Sequence, residues 1–140
     1  VRKILIATHS NFAQGIKDAL TFILGEQKHV EAMCAYVTQD FDIQYRIEKL
    51  LYDLSTEDEL IVLVDLFGGS VSNAFSNKID DERLHIISGV NFPMLLDLVT
   101  NNNKNTEEVI KQAIESGRKG IQNVNQVVKK ATNEMEEDFL

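Results

Sequence analysis

The chain has 140 residues and one cysteine, Cys34, a length that suits one domain with a core of its own and a composition that excludes an internal disulfide framework. With 14 Lys and Arg against 22 Asp and Glu the formal charge is −8, which argues against a nucleic-acid backbone or an anionic membrane as partner. The 44% apolar and 26% charged fractions are those of a soluble globular domain, no run approaches the ~18 apolar residues of a membrane span, and the N-terminal RKILIATHS is too short for a signal peptide, so a cytoplasmic protein without membrane insertion is expected.

In chain order, residues 4–7 (ILIA) read as a first buried strand. They are followed by a helical stripe of Phe12, Ile16, Ala19, Leu20, Ile23 and Leu24 that Gly25 closes. VEAMCAYV at 30–37 reads as a second strand, and Ile43, Ile47, Leu50, Leu51 and Leu54 mark a second helix. LIVLV at 60–64 is a third strand, after which Ser70 suits an N-cap for a helix carrying Val71, Ala74 and Phe75. LHII at 84–87 is a fourth strand. Pro93 then sits near the start of a helix burying Met94, Leu95, Leu98 and Val99, and Thr106-Glu107-Glu108 opens another that ends near Gly117 or Gly120.

This alternation predicts an α/β fold, a three-layer α/β/α sandwich around a mostly parallel doubly wound sheet. IQNVNQVVKK at 121–130 fits two readings. Positions 121, 124, 127 and 128 have helical spacing, while Val127-Val128 favours an edge strand. The last ten residues, ATNEMEEDFL, hold four acidic and no basic side chains, half of the net charge. They read as a frayed acidic tail, 131–140, behind a single domain, 1–130.

In open parallel sheets ligands bind beyond the carboxyl ends of the strands, where the strand order reverses. The first strand runs into Thr8-His9-Ser10 and the third into Asp65-Leu66-Phe67-Gly68-Gly69-Ser70. If the order is 2-1-3-4, His9 faces Asp65. A carboxylate that holds the proton on one imidazole nitrogen leaves the other with a free lone pair. Gly68, Gly69 and Ser70 would let backbone N–H groups approach an anion at a helix start. Nucleophile, orienting acid and donor cradle are what a phosphoryl group requires. Each piece has a plain structural use as turn, cap or packed residue; their coincidence at neighbouring strand ends favours chemistry. His29 follows a helix in a charged loop and His85 lies within a strand run, so neither gains that support. Cys34 reads as a small core residue. No pair among the histidines and Cys34 has metal-ligand spacing, so no metal or cofactor is expected.

The runs ILIATHSNFAQGIKDAL with LGEQ, LVDLFGGSVSNAFS and ISGVNFPMLLDL resemble the enzyme IIA component of the mannose family of the bacterial phosphoenolpyruvate-dependent sugar phosphotransferase system. The resemblance covers roughly residues 3–125. It implies a cytoplasmic phosphocarrier that takes a phosphoryl group from the histidine-containing phosphocarrier protein and passes it to a IIB component. By motif it implies that His9 is the phosphorylated residue, Asp65 its partner, and Gly68, Gly69 and Ser70 the phosphate-cradling loop. It also implies a homodimer in which a C-terminal strand crosses to the other subunit, which turns the reading of 121–130 toward an antiparallel edge strand. The family commonly has Gly after the histidine and Pro after Gly-Gly-Ser, where this chain has Ser10 and Val71.

Two other uses of the same residues compete. One is a phosphohistidine regulatory domain or a dihydroxyacetone kinase phosphodonor subunit, which shares a similar N-terminal fold. The other is a hydrolase with Ser70, His9 and Asp65 as a triad. It ranks lower, because Ser70 lacks the G-x-S-x-G elbow and is expected to be engaged as a helix cap.

Overall fold

Four apolar runs form the sheet of the computed structural model, which describes residues 1–138: β1 (Arg2–His9), β2 (Val30–Ala35), β3 (Glu59–Val64) and β4 (Leu84–Ser88). The order is β2-β1-β3-β4 with every neighbouring pair parallel. The order therefore reverses between β1 and β3, where Ala7 pairs with Val64. On the other side of β1, His9 pairs with Ala35 of β2.

The chain divides into two compact units, Val1–Phe92 and the part from Pro93 onward. In the first, side chains alternate across the sheet. Leu5 and Ala7 of β1 and Leu60, Val62 and Val64 of β3 join Ile47 of α2 (Ile43–Asp53) and Val71, Ala74 and Phe75 of α3 (Ser70–Ser76) in one buried cluster. Ile4, Ile6, Ile61 and Leu63 are buried too but stand outside that cluster. The period of two sends them to the opposite face, where α1 (Phe12–Leu24) packs on β1 and β2 through Ala13, Ile16 and Leu20. Three layers result, and β1 and β3 are apolar on both sides for that reason.

The α1 stripe is narrower than its apolar spacing suggests, since Phe12 and Ile23 remain exposed. β2 stops at Ala35, two residues short of the expected end. Tyr36 adopts φ 66, a left-handed conformation that leaves the sheet. The amino end of the unit is tied by Arg83, whose guanidinium pairs with Asp81 and donates to the carbonyls of Leu51 and Leu54 at the end of α2.

The second unit carries α4 (Phe92–Thr100) from its second residue, α5 (Thr106–Lys119) and α6 (Val124–Asp138). Asn105 caps α5 by accepting from the Glu108 amide at 3.1 Å, and the Ser116 hydroxyl of α5 donates to Asp97 of α4. A side chain at Gly120 would collide with the Pro93 ring, which a Cβ would approach to 2.5 Å. The edge strand expected within 121–130 is absent: that segment enters α6. Asn123 supplies the start signal, its side chain accepting from the Gln126 amide and its carbonyl from Val127. Helical spacing of Val124, Val127 and Val128 thus outweighs the strand preference of paired valines, which depends on context. The acidic segment is likewise helical as far as Asp138 rather than frayed, so the boundary expected at 130/131 falls inside α6; residues 139–140 lie outside the described ones.

Candidate functional site

At the reversal point the loops after β1 and β3 meet. Thr8 is fully buried, and its hydroxyl accepts from the Ala13 amide at 2.7 Å, which caps α1; Asn11, the residue at the cap position, makes no side-chain bond. This cap turns the chain directly after His9. Ser10 completes the turn with φ 55, its amide donating to the Ala35 carbonyl at 2.9 Å. A left-handed residue here is the physical reason a glycine suits the position after the histidine.

Asp65 directly follows β3. Its Oδ2 accepts from the His9 backbone amide at 3.0 Å and lies 3.0 Å from His9 Nδ1. Oδ1 is buried without a hydrogen-bond partner among the described residues. Burial pushes the Asp65 carboxyl up, but the bonds from the His9 ring and amide and from its own amide outweigh that and hold it below the usual carboxylate value. An ionised carboxylate can only accept, so in the neutral imidazole the proton sits on Nδ1 and the lone pair on Nε2.

Nε2 faces Ser70, whose Oγ is 3.1 Å away and therefore donates. Ser70 is not the cap of α3. Gly69 occupies that position without a side-chain bond, which frees the Ser70 hydroxyl for the imidazole. Gly68 turns with φ 76, and the Asn73 side chain ties its carbonyl at 3.2 Å. Gly69 packs close: a Cβ there would lie 3.4 Å from His9 Cε1 and 3.3 Å from the Leu66 carbonyl oxygen. The structure thus brings His9, Asp65, Gly69 and Ser70 into contact, with Gly68 forming the turn that delivers the last two.

Residues 3–115 match the family model described as the PTS system fructose IIA component. The chain belongs to this family of phosphotransferase-system enzyme IIA components. Among curated relatives of this enzyme IIA chain, the PTS system fructose-specific EIIA component of Bacillus subtilis is 30% identical over 99 residues, 69% of this chain and 68% of the relative. The PTS system mannose-specific EIIAB component of Escherichia coli K12 is 33% identical over 124 residues, 84% of this chain. The match spans only 38% of that relative's length. A solved structure from Klebsiella pneumoniae, assigned to the phosphoenolpyruvate-dependent sugar phosphotransferase system as a permease, superposes with a TM-score of 0.86 at 35% identity and covers 91% of this chain and 93% of that one. Membership supports a phosphocarrier role in sugar phosphotransfer. No helix among the described residues is long and apolar enough to cross a membrane.

The remaining candidates lie elsewhere. His29 lines a cleft of about 400 Å³ at the amino end of the strands, with Lys3, Lys28, Glu31 and Asp53. His85 sits 2.7 Å through Nε2 from Glu59 Oε2, a pair the sequence reading passes over. Cys34 is half-buried and free. No group of three or more His, Cys, Asp or Glu among the described residues could hold a metal ion. Tyr36 also escapes the sequence reading: its ring centroid lies 5.7 Å from that of His9. The available signal was its place just after Ala35, the residue paired with His9, but a strand drawn through Val37 hides it.

Proposed function

We propose that His9 accepts a phosphoryl group on Nε2 from the histidine-containing phosphocarrier protein and passes it to a IIB component during sugar uptake. The observation that carries this reading is the Asp65 carboxylate on Nδ1, which leaves Nε2 nucleophilic at the open end of the sheet. In the first transfer the Nε2 lone pair forms a bond to phosphorus as the donor's P–N bond breaks, and that electron pair returns to the donor imidazole. The proton stays on Nδ1, where Asp65 balances the cationic ring. The second transfer is the same step with His9 as leaving group.

Phosphorylation takes the lone pair that Ser70 now binds. The Ser70 hydroxyl then turns to donate to a phosphoryl oxygen, beside N–H groups in the first turn of α3 that have no acceptor within the helix. Gly68 and Gly69 keep side chains out of that approach. Partners that are proteins suit the surroundings. Leu66 is 61% and Phe67 84% exposed in the loop beside Asp65, and Phe12 is exposed at the start of α1, an apolar rim of the kind that marks a protein contact. Incubation with phosphoenolpyruvate, enzyme I and the phosphocarrier protein should label His9, and added IIB should discharge it. Label that stays put in the presence of IIB favours the phosphohistidine regulatory domain. Discharge to a dihydroxyacetone kinase instead favours the phosphodonor subunit.

The Ser70–His9–Asp65 contacts also favour a second reading, a hydrolase with Ser70 as nucleophile, because the hydroxyl is not used as a helix cap. Turnover of activated esters that Ser70→Ala abolishes would establish it. For assembly we propose a homodimer, supported by the resemblance and by α6, which has no buried residue and leaves Val124, Val127, Val128 and Met135 exposed. Sedimentation should show a dimer that Val128→Lys weakens; a monomer at micromolar concentration refutes it.

A further inference from the structure

The side-chain hydrogen bonds of His9 lie at the edge of its ring. Asp65 holds Nδ1 and Ser70 meets Nε2, while Gly69 leaves open the space beside Cε1 that a Cβ would enter to 3.4 Å. Once Nε2 carries a phosphoryl group the Ser70 bond to that atom is gone, and of the two hydrogen bonds made by the ring nitrogens only the one at Nδ1 remains. Transfer needs the phosphorus in line with the attacking nitrogen, so something must also restrain the ring.

Tyr36 is placed to do this. Its ring lies 5.7 Å from the imidazole, centroid to centroid, at 39°. Phe41 meets the Tyr36 ring edge-on at 5.7 Å and 73°, and Arg46 of α2 lies over the Phe41 ring, 5.5 Å from its centroid. The backbone argues the same way. Tyr36 holds φ 66, where a glycine or asparagine would turn the chain with less strain, yet its side chain is not rewarded by burial, being 45% exposed. Strain kept for a half-exposed ring beside a reactive group points to function.

We propose that Tyr36 is a positioning residue for phosphoryl transfer, its ring restraining the imidazole of His9 and shielding one side of the phosphorylated form. The proposal rests on the phosphocarrier reading of His9. It concerns the ring and not the hydroxyl, so Tyr36→Phe should behave like the wild type.

The test compares wild type, Tyr36→Phe, Tyr36→Ala and Tyr36→Gly. Transfer from ³²P-labelled phosphocarrier protein is followed at saturating donor, together with the lifetime of the isolated phosphohistidine and the thermal midpoint. Tyr36→Ala and Tyr36→Gly should lower the saturated rate about 10-fold, less than the ~10²-fold attached to a 1 Å misplacement. They should also shorten the phosphohistidine lifetime about 2- to 10-fold, the range of an aromatic face contact, with KM little changed. Tyr36→Gly should match or exceed the wild type in thermal midpoint, because it relieves the turn. Wild-type rate and lifetime in Tyr36→Ala would overturn the proposal. A rise in KM alone would also overturn it, making Tyr36 a docking contact, as would a Tyr36→Gly variant that loses stability in step with rate. A wild-type chain that takes no label overturns the phosphocarrier reading and this proposal with it, so the two failures are distinguishable.

Discussion

Two histidines in this protein lie against a carboxylate in or directly after the neighbouring strand, at opposite ends of one sheet. At the carboxyl end His9 Nδ1 is 3.0 Å from Asp65 Oδ2; at the amino end His85 Nε2 is 2.7 Å from Glu59 Oε2. The shorter pair is the one without site features around it. His85 is the less accessible imidazole, its side chain 17% exposed against 42% for His9. On the proposed reading of His9, carboxylate pairing alone does not mark a phosphoryl site. His9 differs in which nitrogen is tied, in the Gly68-Gly69-Ser70 turn beside it, and in lying where the strand order reverses. The backbone differs too: Arg83 ties the amino end through Asp81 and the α2 carbonyls, while two left-handed residues, Ser10 and Tyr36, border His9.

The hardest test of the comparison removes each imidazole. His9→Ala should abolish labelling from the phosphocarrier protein and keep the fold, because the side chain adds little to the core. His85→Ala should label at the wild-type rate. Label that maps to His85 or His29 in the wild type would reverse the assignment of the two ends.

Removing the carboxylates should give the next largest contrast. Asp65→Asn fills the same space but offers no anion, and single-turnover transfer should fall by about 10²–10⁴-fold, the range for losing an acid–base partner. Glu59→Gln should leave transfer unchanged. The Asp65 carboxyl is depressed in the folded protein, so its contribution to rate and stability is complete above the ordinary Asp value near ~3.9 and drains away as pH falls through the lower folded value. Between pH 5 and 8 Asp65 itself should therefore impose no step on the transfer rate. Asp65→Asn should flatten the acid limb of the thermal midpoint, and equal acid limbs in the two proteins would refute that.

How much of this contrast is legible in the sequence follows from the range of each interaction. The strands and the parallel order rest on runs such as LIVLV, whose burial on both faces leaves few alternatives. His9 and Asp65 could be brought together because both end strands that the order 2-1-3-4 makes neighbours. The sequence points to Ser70 as a cap, since a serine before an apolar helical stripe ordinarily is one. Only the actual turn at Gly68 moves the cap to Gly69 and the hydroxyl to His9. The pairing of His85 with Glu59 depends on the register of two strands, which periodicity does not specify. The helix over 124–138 is one of two readings the sequence allows, since positions 121, 124, 127 and 128 have helical spacing while Val127-Val128 favours a strand, and the cap at Asn123 decides it.

A smaller effect is expected from the hydroxyl that distinguishes the two ends. Ser70→Ala removes one donor from Nε2 and later from the phosphoryl group, and should slow transfer by about 10-fold, below the ~10²–10³-fold of a dedicated oxyanion donor. Transfer at the wild-type rate in Ser70→Ala would mean that the hydroxyl does not assist the phosphoryl group, whereas loss of ester turnover in the same variant would favour the hydrolase triad.

The smallest change should fall at Ser10, and it tests whether the carboxyl end stores strain. Ser10 holds φ 55, a conformation costing a non-glycine residue roughly 1–2 kcal/mol. Its amide bond to the Ala35 carbonyl is a backbone contact that a glycine would keep. Ser10→Gly relieves the steric term but adds unfolded-state entropy, a loss of roughly 0.5–1 kcal/mol. The net should be a gain of about 0.5–1 kcal/mol, read as a higher denaturant midpoint at unchanged slope. Transfer should stay within about twofold of wild type, since no described hydrogen bond links the Ser10 side chain to His9, Asp65 or Ser70. A destabilised Ser10→Gly would mean that the turn after His9 is relaxed as it stands, and that the uneven strain between the two ends rests on Tyr36 alone.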